Sequence, residues 1–129
     1  MNYLFLEHLL EIHALVINET GGSDRLLDLG RLESVIATQT QNVFGEELYV
    51  TIHEKAAAIM RGIIADHPFA DGNKRTASLA ALTFSDINGH TFTAENGEIE
   101  DFAVKAATDH LDIPEIALWL KNHTARTSS

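Results

Sequence analysis

The nonapeptide "HPFADGNKR", residues 67–75, decides the fold because it joins two helices near the middle of the chain. The stretch before it, "KAAAIMRGIIAD" at 55–66, carries apolar residues at helical spacing. Pro68 disfavours the α conformation of the residue that precedes it, so this helix must end near residue 66. The letters "DGN" form a turn sequence, and helical spacing resumes after them. The stretch therefore predicts two helices joined by a short, polar loop.

Helical spacing of apolar residues extends over most of the remaining sequence. Thr51, with Glu54 three residues later, is a capping box that starts the third helix, and Asp112 with Pro114 starts the last one. "QNVFGEELYV" at 41–50 breaks the helical period and predicts a loop or a small hairpin. The pattern indicates an all-α bundle of about six helices, at residues 3–19, 31–40, 51–66, 73–88, 98–111 and from 112 onward.

The composition is typical of one ordinary globular domain. The 129 residues predict a single domain over residues 1–124 and a disordered tail at 125–129. No apolar run is long enough to span a membrane, and the absence of cysteine excludes a thiolate metal site. The formal net charge of −10 argues against direct binding of a nucleic acid backbone. We expect a cytoplasmic protein that contacts neither a membrane nor a nucleic acid.

The adjacent cations Lys74 and Arg75 are an exception to this acidic composition. They fall at the predicted start of a helix, where the positive end of the helix dipole repels them. The backbone N–H groups of a helix N-terminus bind anions, and the glycine at position 72 allows a ligand to approach them closely. The two cations become favourable if a bound anion makes the local charge negative. The residues from Gly72 to Arg75 therefore predict a polyphosphate site.

His67 and Asp71 add reactive groups to this predicted site. A carboxylate beside bound phosphates is a suitable ligand for Mg²⁺. A histidine with an ordinary pKa can take a proton from a hydroxyl at neutral pH. Phe69, between them in sequence, is expected to anchor the loop in the core. A general base, a metal carboxylate and an anion site are together the groups needed to transfer phosphorus from a nucleotide to a hydroxyl.

The sequence "HPFADGNKRTA" at 67–77 resembles the signature of the Fic/Doc family, His-Pro-Phe-x-Asp/Glu-Gly-Asn-Gly/Lys-Arg, and matches its core at every position. The rest of the chain resembles the short Doc (death on curing) branch. It has an N-terminal helix that ends in "GG", the letters "GRLES" at 30–34, an alanine-rich helix before the motif and a tryptophan near the C-terminus. The resemblance covers nearly the whole chain and implies a Fic/Doc-type helical bundle.

The resemblance also implies a role for each motif residue. His67 would be the general base on a target hydroxyl, Asp71 would hold Mg²⁺, and Arg75 would contact the phosphates of ATP. The segment at 41–50 falls where the family has a flap that aligns the target peptide. The implied nucleotide-binding residues are Gly72, Asn73, Lys74 and Arg75.

Lys74 departs from the family members that transfer AMP, which carry glycine there and a second arginine where this chain has Ser78. A lysine at that position would crowd the usual seat of the β-phosphate. Doc shares the Asn-Lys-Arg run, and its nucleotide is thought to lie reversed, so that the γ-phosphate is transferred to elongation factor Tu. The resemblance therefore implies a toxin that phosphorylates Ser or Thr of a translation factor and is neutralised by an antitoxin. Gly72 and Leu79 differ from Doc, which has alanine and asparagine there.

Two other functions stay open at this point: a protein adenylyltransferase, and a binding module of the same fold without activity. The letters "TFTAEN" at 91–96 match the inhibitory pattern of some Fic proteins, but they fall in a predicted connector and are interpreted as a chance match. No zinc site is expected, since His8 and His13 lie about 140° apart around a helix. The remaining histidines other than His67, at positions 53, 90, 110 and 123, are expected at the surface.

Overall fold

Six α-helices, one 3₁₀ turn and two small antiparallel strand pairs make up the computed structural model, which describes residues 1–95 and 97–127. The helices are α1 (Leu6–Thr20), α2 (Leu29–Ala37), α3 (Ile52–Asp66), α4 (Asn73–Ile87), α5 (Glu98–Thr108) and α6 (Ile113–Asn122). The strands are β1 (Asn42–Val43), β2 (Glu46–Glu47), β3 (His90–Phe92) and β4 (Thr124–Arg126), and the 3₁₀ turn is Thr38–Thr40. The predicted all-α bundle of six helices is confirmed.

The local signals that predict the helix starts are present in the structure. The Thr51 hydroxyl accepts a hydrogen bond from the Glu54 N–H at 3.1 Å, and the Asp112 carboxylate accepts one from the Ile113 N–H at 2.8 Å. The first helix starts three residues later than predicted. The reason is that the backbone N–H and C=O of Leu4 are both bonded to the buried Gln39 side chain, at 2.8 Å each.

The core is organised around α3, which packs against α2, α4, α5 and α6. Its residues 55–60 are all buried, so this helix is covered on every side along its middle. Most alanines of α3, α4 and α5 are buried as well, and their small side chains allow close approach of these helices. The helix that leads into the motif is therefore the most constrained element of the fold.

The C-terminal tail is more ordered than the sequence predicts. Strand β4 pairs with β3 in the register His90↔Arg126 and Phe92↔Thr124, and the Thr127 N–H donates to the Gly89 carbonyl at 2.7 Å. The predicted disorder is therefore wrong for residues 125–127, while residues 128 and 129 lie outside the described chain. The N-terminus also lies at the C-terminal end of α4, since the Asn2 N–H donates to the Asn88 side chain at 2.8 Å.

The segment at 41–50 forms the predicted small hairpin, β1–β2, with Phe44 and Gly45 at its turn. Its base is tied to the core by Lys55, a residue that the sequence analysis did not single out. The Lys55 side chain is only 1% exposed. Its ammonium donates to the Glu47 carboxylate at 3.0 Å and to the Gln39 carbonyl. Because a buried charge is unfavourable without such partners, this contact fixes the position of the hairpin.

His53 and His90 are not free surface residues, contrary to expectation. Their rings meet edge to face with centroids 5.0 Å apart. Burial lowers the pKa of His53, and the nearby charges of His90 and Lys121 lower it further. In the folded chain His53 therefore binds a proton less readily than in the unfolded chain, where its pKa is about 6.5.

This shift predicts an acid-dependent loss of stability. Above pH about 6.5 His53 is neutral in both states, and as the pH falls below that value the unfolded state takes up the proton first. The free energy of unfolding should therefore fall across this range, until the pH is below the folded pKa as well. His53→Gln should reduce the difference in Tm between pH 7.5 and pH 5.5, measured by calorimetry. The exposed His110→Gln serves as control, and an unchanged difference in His53→Gln would contradict the prediction.

Candidate active site

His67 lies at the end of α3 with its side chain exposed. Its backbone is left-handed, with φ +47° and ψ +61°, so the chain turns out of the helix at this residue. The Nδ1 atom makes a long contact of 3.4 Å with the Ala65 carbonyl, which can only accept a hydrogen bond. With the hydrogen on Nδ1, this contact becomes a hydrogen bond, and the lone pair of Nε2 is then free to accept a proton. A left-handed histidine is strained, and such strain is common at functional sites.

The loop after His67 is fixed from inside by Phe69 and Asn73. Phe69 is buried, as predicted. Asn73 is also buried, and its side chain bridges the loop: the Phe69 N–H donates to Asn73 Oδ1 at 3.1 Å, and Asn73 Nδ2 donates to the Phe69 carbonyl at 2.8 Å. The Asn73 side chain is thus occupied within the protein. Its backbone N–H remains available to the predicted anion site.

His13 of α1 supports the same loop and was not predicted to do so. Its buried ring stacks on the Phe69 ring, with centroids 3.6 Å apart and planes at 6°. Its Nε2 donates to the Asp71 carbonyl at 2.8 Å, because that oxygen can only accept. The apolar spacing in α1 places His13 toward the core, but nothing in the sequence indicates its partner 58 positions away.

A second, extended segment at residues 22–28 runs beside the loop. Leu26 forms an antiparallel bridge with Phe69, the Leu27 N–H donates to the Pro68 carbonyl at 2.8 Å, and the Ala70 N–H donates to the Arg25 carbonyl at 2.9 Å. From the sequence, the glycines that open this segment are predicted only to end α1. The hairpin at 41–50, in contrast, adjoins the start of α3, about 22 Å from His67 along a 15-residue helix. The position predicted for the flap is therefore wrong.

Asp71 faces the residue 22–28 segment. Its Oδ2 accepts a hydrogen bond from the Ser23 N–H at 2.7 Å. A β-carbon on Gly22 would lie 3.1 Å from the Asp71 β-carbon, so this glycine allows the close approach. Within the described residues Oδ1 has no hydrogen-bond partner. The carboxylate is thus held by one oxygen and offers the other, which fits a Mg²⁺ ligand.

The start of α4 presents unpaired donors. Gly72 is the N-cap with φ +77° and has no side chain to cap the helix; a β-carbon there would lie 3.2 Å from Val16 and Ile17 side-chain atoms. No acceptor among residues 1–95 and 97–127 is bonded to the backbone N–H groups of residues 71–75. Lys74 and Arg75 are exposed, and neither forms an ion pair in this part of the chain. Free amides and two cations together favour a polyanion.

Two cavities meet at His67. One is an open cleft of about 360 Å³ over the start of α4, and the other is a mostly apolar cavity of about 210 Å³ between α3, α5 and α6. The cleft is lined by His67, Ala70, Asp71, Gly72, Asn73, Lys74 and Arg75. The apolar cavity has Arg61, His67 and His110 among otherwise apolar residues that include Ile64 and Leu111. All predicted site residues therefore lie around one cleft.

Two further arginines, Arg31 and Arg61, have partners elsewhere in the fold. Arg31 donates to the Asp66 carbonyl at 3.1 Å, and Arg61 lies 3.5 Å from the Asp112 carboxylate, so both have structural partners.

Residues 91–95 contain strand β3 and no helix, which agrees with the interpretation of "TFTAEN" as a connector; Asn96 lies outside the described residues. No described helix is long and apolar enough to cross a membrane.

Comparison with known proteins shows the family of this chain. The Fic/DOC family pattern matches residues 3–85. The chain is 36% identical over 107 residues to Toxin Doc of Mycolicibacterium smegmatis (strain ATCC 700084 / mc(2)155), which covers 81% of this chain and 82% of that relative. It is 32% identical over 121 residues to Protein kinase doc of Escherichia phage P1, which covers 94% of both. The chain therefore belongs to the Fic/DOC family.

Proposed function

We propose that the chain is a Doc-like toxin that transfers the γ-phosphate of ATP to a Ser or Thr hydroxyl of a translation factor such as elongation factor Tu. The observation that carries the proposal is the exposed imidazole of His67 at the rim of a cationic cleft with free amides. The names of the two relatives, a toxin and a protein kinase, support it. Because such a target is cytoplasmic, we also propose that location.

In this proposal His67 acts as the general base. Its Nε2 takes the proton from the target hydroxyl as the oxygen forms a bond to the γ-phosphorus, the bond from that phosphorus to the bridging oxygen breaks, and ADP leaves. The contact of Nδ1 with the Ala65 carbonyl supports this direction of proton transfer, since it leaves Nε2 as the acceptor. Proton transfer by a positioned side chain contributes about 10²–10⁴ to a rate.

The phosphates would be held by the start of α4. The backbone N–H groups of residues 72–75 and the side chains of Lys74 and Arg75 would neutralise their charge. Asp71 Oδ1 would be a ligand of Mg²⁺, which offsets phosphate charge when it is bound.

The target chain would lie along the outer edge of the residue 22–28 segment. In an extended strand, alternate backbone groups point to opposite sides, and Arg25 and Leu27 face the motif loop. The N–H and C=O of Leu26 therefore point outward, and they have no partner in the described part of the chain. A peptide that pairs with this edge would place a hydroxyl beside His67. We further propose that a separate antitoxin silences the site, as the toxin name of one relative suggests.

Isotope transfer tests the proposal directly. Purified chain should be incubated with elongation factor Tu and ATP labelled at either the α or the γ phosphate. We expect label from the γ position, and none from the α position, in the factor. Heat-inactivated chain gives the background, and mass spectrometry should find one added phosphate on a Ser or Thr peptide. Label from the α position would contradict the proposal and indicate AMP transfer instead.

A further inference from the structure

The turn of the β1–β2 hairpin carries a conspicuous apolar side chain. Phe44 is fully exposed, and its backbone is left-handed with φ +53°. A bulky residue is strained in this conformation, and an exposed ring gains no burial in the core. Val43 beside it is also about half exposed. Folding therefore does not account for an aromatic residue at this position.

The fold nevertheless holds the hairpin firmly. Its base carries Glu47, which accepts from the buried Lys55 ammonium at 3.0 Å, and the Leu48 N–H closes the base on the Gln41 carbonyl at 2.9 Å. Burying a lysine is costly. The buried Lys55 ammonium therefore holds the β1–β2 hairpin in place, although the exposed turn of the hairpin adds no packing to the core.

A groove continues from the base of the hairpin. This groove, of about 340 Å³, lies between the chain before α3 and the start of α6, and Leu48 belongs to both the hairpin base and the groove. Two of its six lining residues carry carboxylates and the other four are apolar or aromatic. It is lined by Leu48, Tyr49, Glu54, Asp112, Ile113 and Pro114.

The carboxylates keep free oxygens toward solvent. Glu54 Oε1 accepts from the Thr51 hydroxyl, while Asp112 Oδ1 accepts from the Ile113 N–H and lies 3.5 Å from Arg61. Within the described residues, the second oxygen of each carboxylate has no partner. Asp112 is paired with Arg61, but Glu54 forms no ion pair within the described residues. Apolar surface next to the negative charge of Glu54 is complementary to a segment with apolar and basic side chains.

We propose that this hairpin–groove surface, formed by Val43, Phe44, Leu48, Tyr49, Glu54 and Ile113, docks a protein segment in which a basic side chain adjoins a large apolar one. Phe44 is its central contact and Glu54 pairs with the basic group. The net charge of −10 disfavours a second copy of this chain as the occupant. Because Lys55 precedes His67 by about 18 Å along α3, a partner bound here leaves the cleft open.

Titration of ¹⁵N-labelled chain with three synthetic twelve-residue peptides tests the proposal. The probes alternate lysine with leucine, glutamate with leucine, and lysine with serine. We expect the lysine–leucine peptide to shift the amide signals of residues 43–50 and 112–114, and to bind more tightly than the other two. Equal binding of the lysine–serine peptide, or shifts centred on the His67 cleft, would overturn the proposal.

Phe44→Gly separates binding from folding. Glycine suits a left-handed backbone, so this variant should be as stable as the parent. It should nevertheless bind the lysine–leucine peptide at least about tenfold more weakly, and Glu54→Gln should also weaken binding. Leu15→Ala, which shortens an exposed apolar side chain on α1, is the matched control and should bind like the parent. Unchanged binding by Phe44→Gly, or self-association of the parent that Phe44→Gly abolishes, would contradict the proposal.

Discussion

His67→Asn is expected to lower the rate of phosphate transfer by about 10²–10⁴, because the variant lacks the base that removes the hydroxyl proton. Asparagine is chosen because it tolerates the left-handed backbone at this position, where φ is +47°. The side chain is exposed, so the free energy of unfolding should change by less than about 0.5 kcal/mol. Initial rates of γ-phosphate transfer at saturating ATP give the measurement.

The matched control for this variant is His110→Asn. His110 also lines the apolar cavity next to His67 and also has a left-handed backbone, with φ +51°. It is not part of the cleft over α4, so its replacement should leave the transfer rate within a fewfold of the parent. Binding of a non-hydrolysable ATP analogue should be similar in all three proteins. Full transfer by His67→Asn with normal nucleotide binding would exclude His67 as the base.

His13→Leu should destabilise the fold far more than His67→Asn does. Leucine keeps much of the volume but leaves the Asp71 carbonyl without its donor and removes the ring stacked on Phe69. The lost hydrogen bond costs about 1–3 kcal/mol and the lost stacking about 0.5–1.5 kcal/mol. We expect a loss of about 2–4 kcal/mol in the free energy of unfolding, and a Tm about 10 °C lower.

Two further variants identify the cause of this loss. His13→Gln keeps an N–H donor and should recover part of the stability and of the transfer rate, because Asp71 is again supported. Leu15→Ala, on the exposed face of the same helix, should change the free energy of unfolding by less than about 0.5 kcal/mol. Urea titration followed by circular dichroism measures all three. If His13→Leu were as stable as Leu15→Ala, the loop would not depend on the contact between His13 and Asp71.

The features that were predictable from the sequence are local in the chain. Thr51, Pro68 and Asp112 set helix boundaries through their own backbone or through neighbours within three residues, so a reader of the sequence can place α3, α4 and α6. The motif residues are also consecutive. Their assembly around one cleft follows from a single turn between two helices.

The features that could not be predicted depend on residues far apart in sequence. The pairing of β3 with β4, the bridge between Leu26 and Phe69, and the bond from His13 to Asp71 each join segments more than 30 positions apart. Periodicity carries no information on such pairings. The error on the flap has another cause, since the length of the helix between 41–50 and His67 already separates the two by about 22 Å.

Both ends of the described chain meet at the C-terminal end of α4, where Asn2 contacts Asn88 and Thr127 contacts Gly89. The motif cleft lies at the opposite end of the same helix, about 22 Å away for 15 residues. An affinity handle or a fluorescent reporter fused at either end would therefore project away from the motif. The proximity of the ends also makes the scaffold suitable for circular permutation, with new termini opened at an exposed loop.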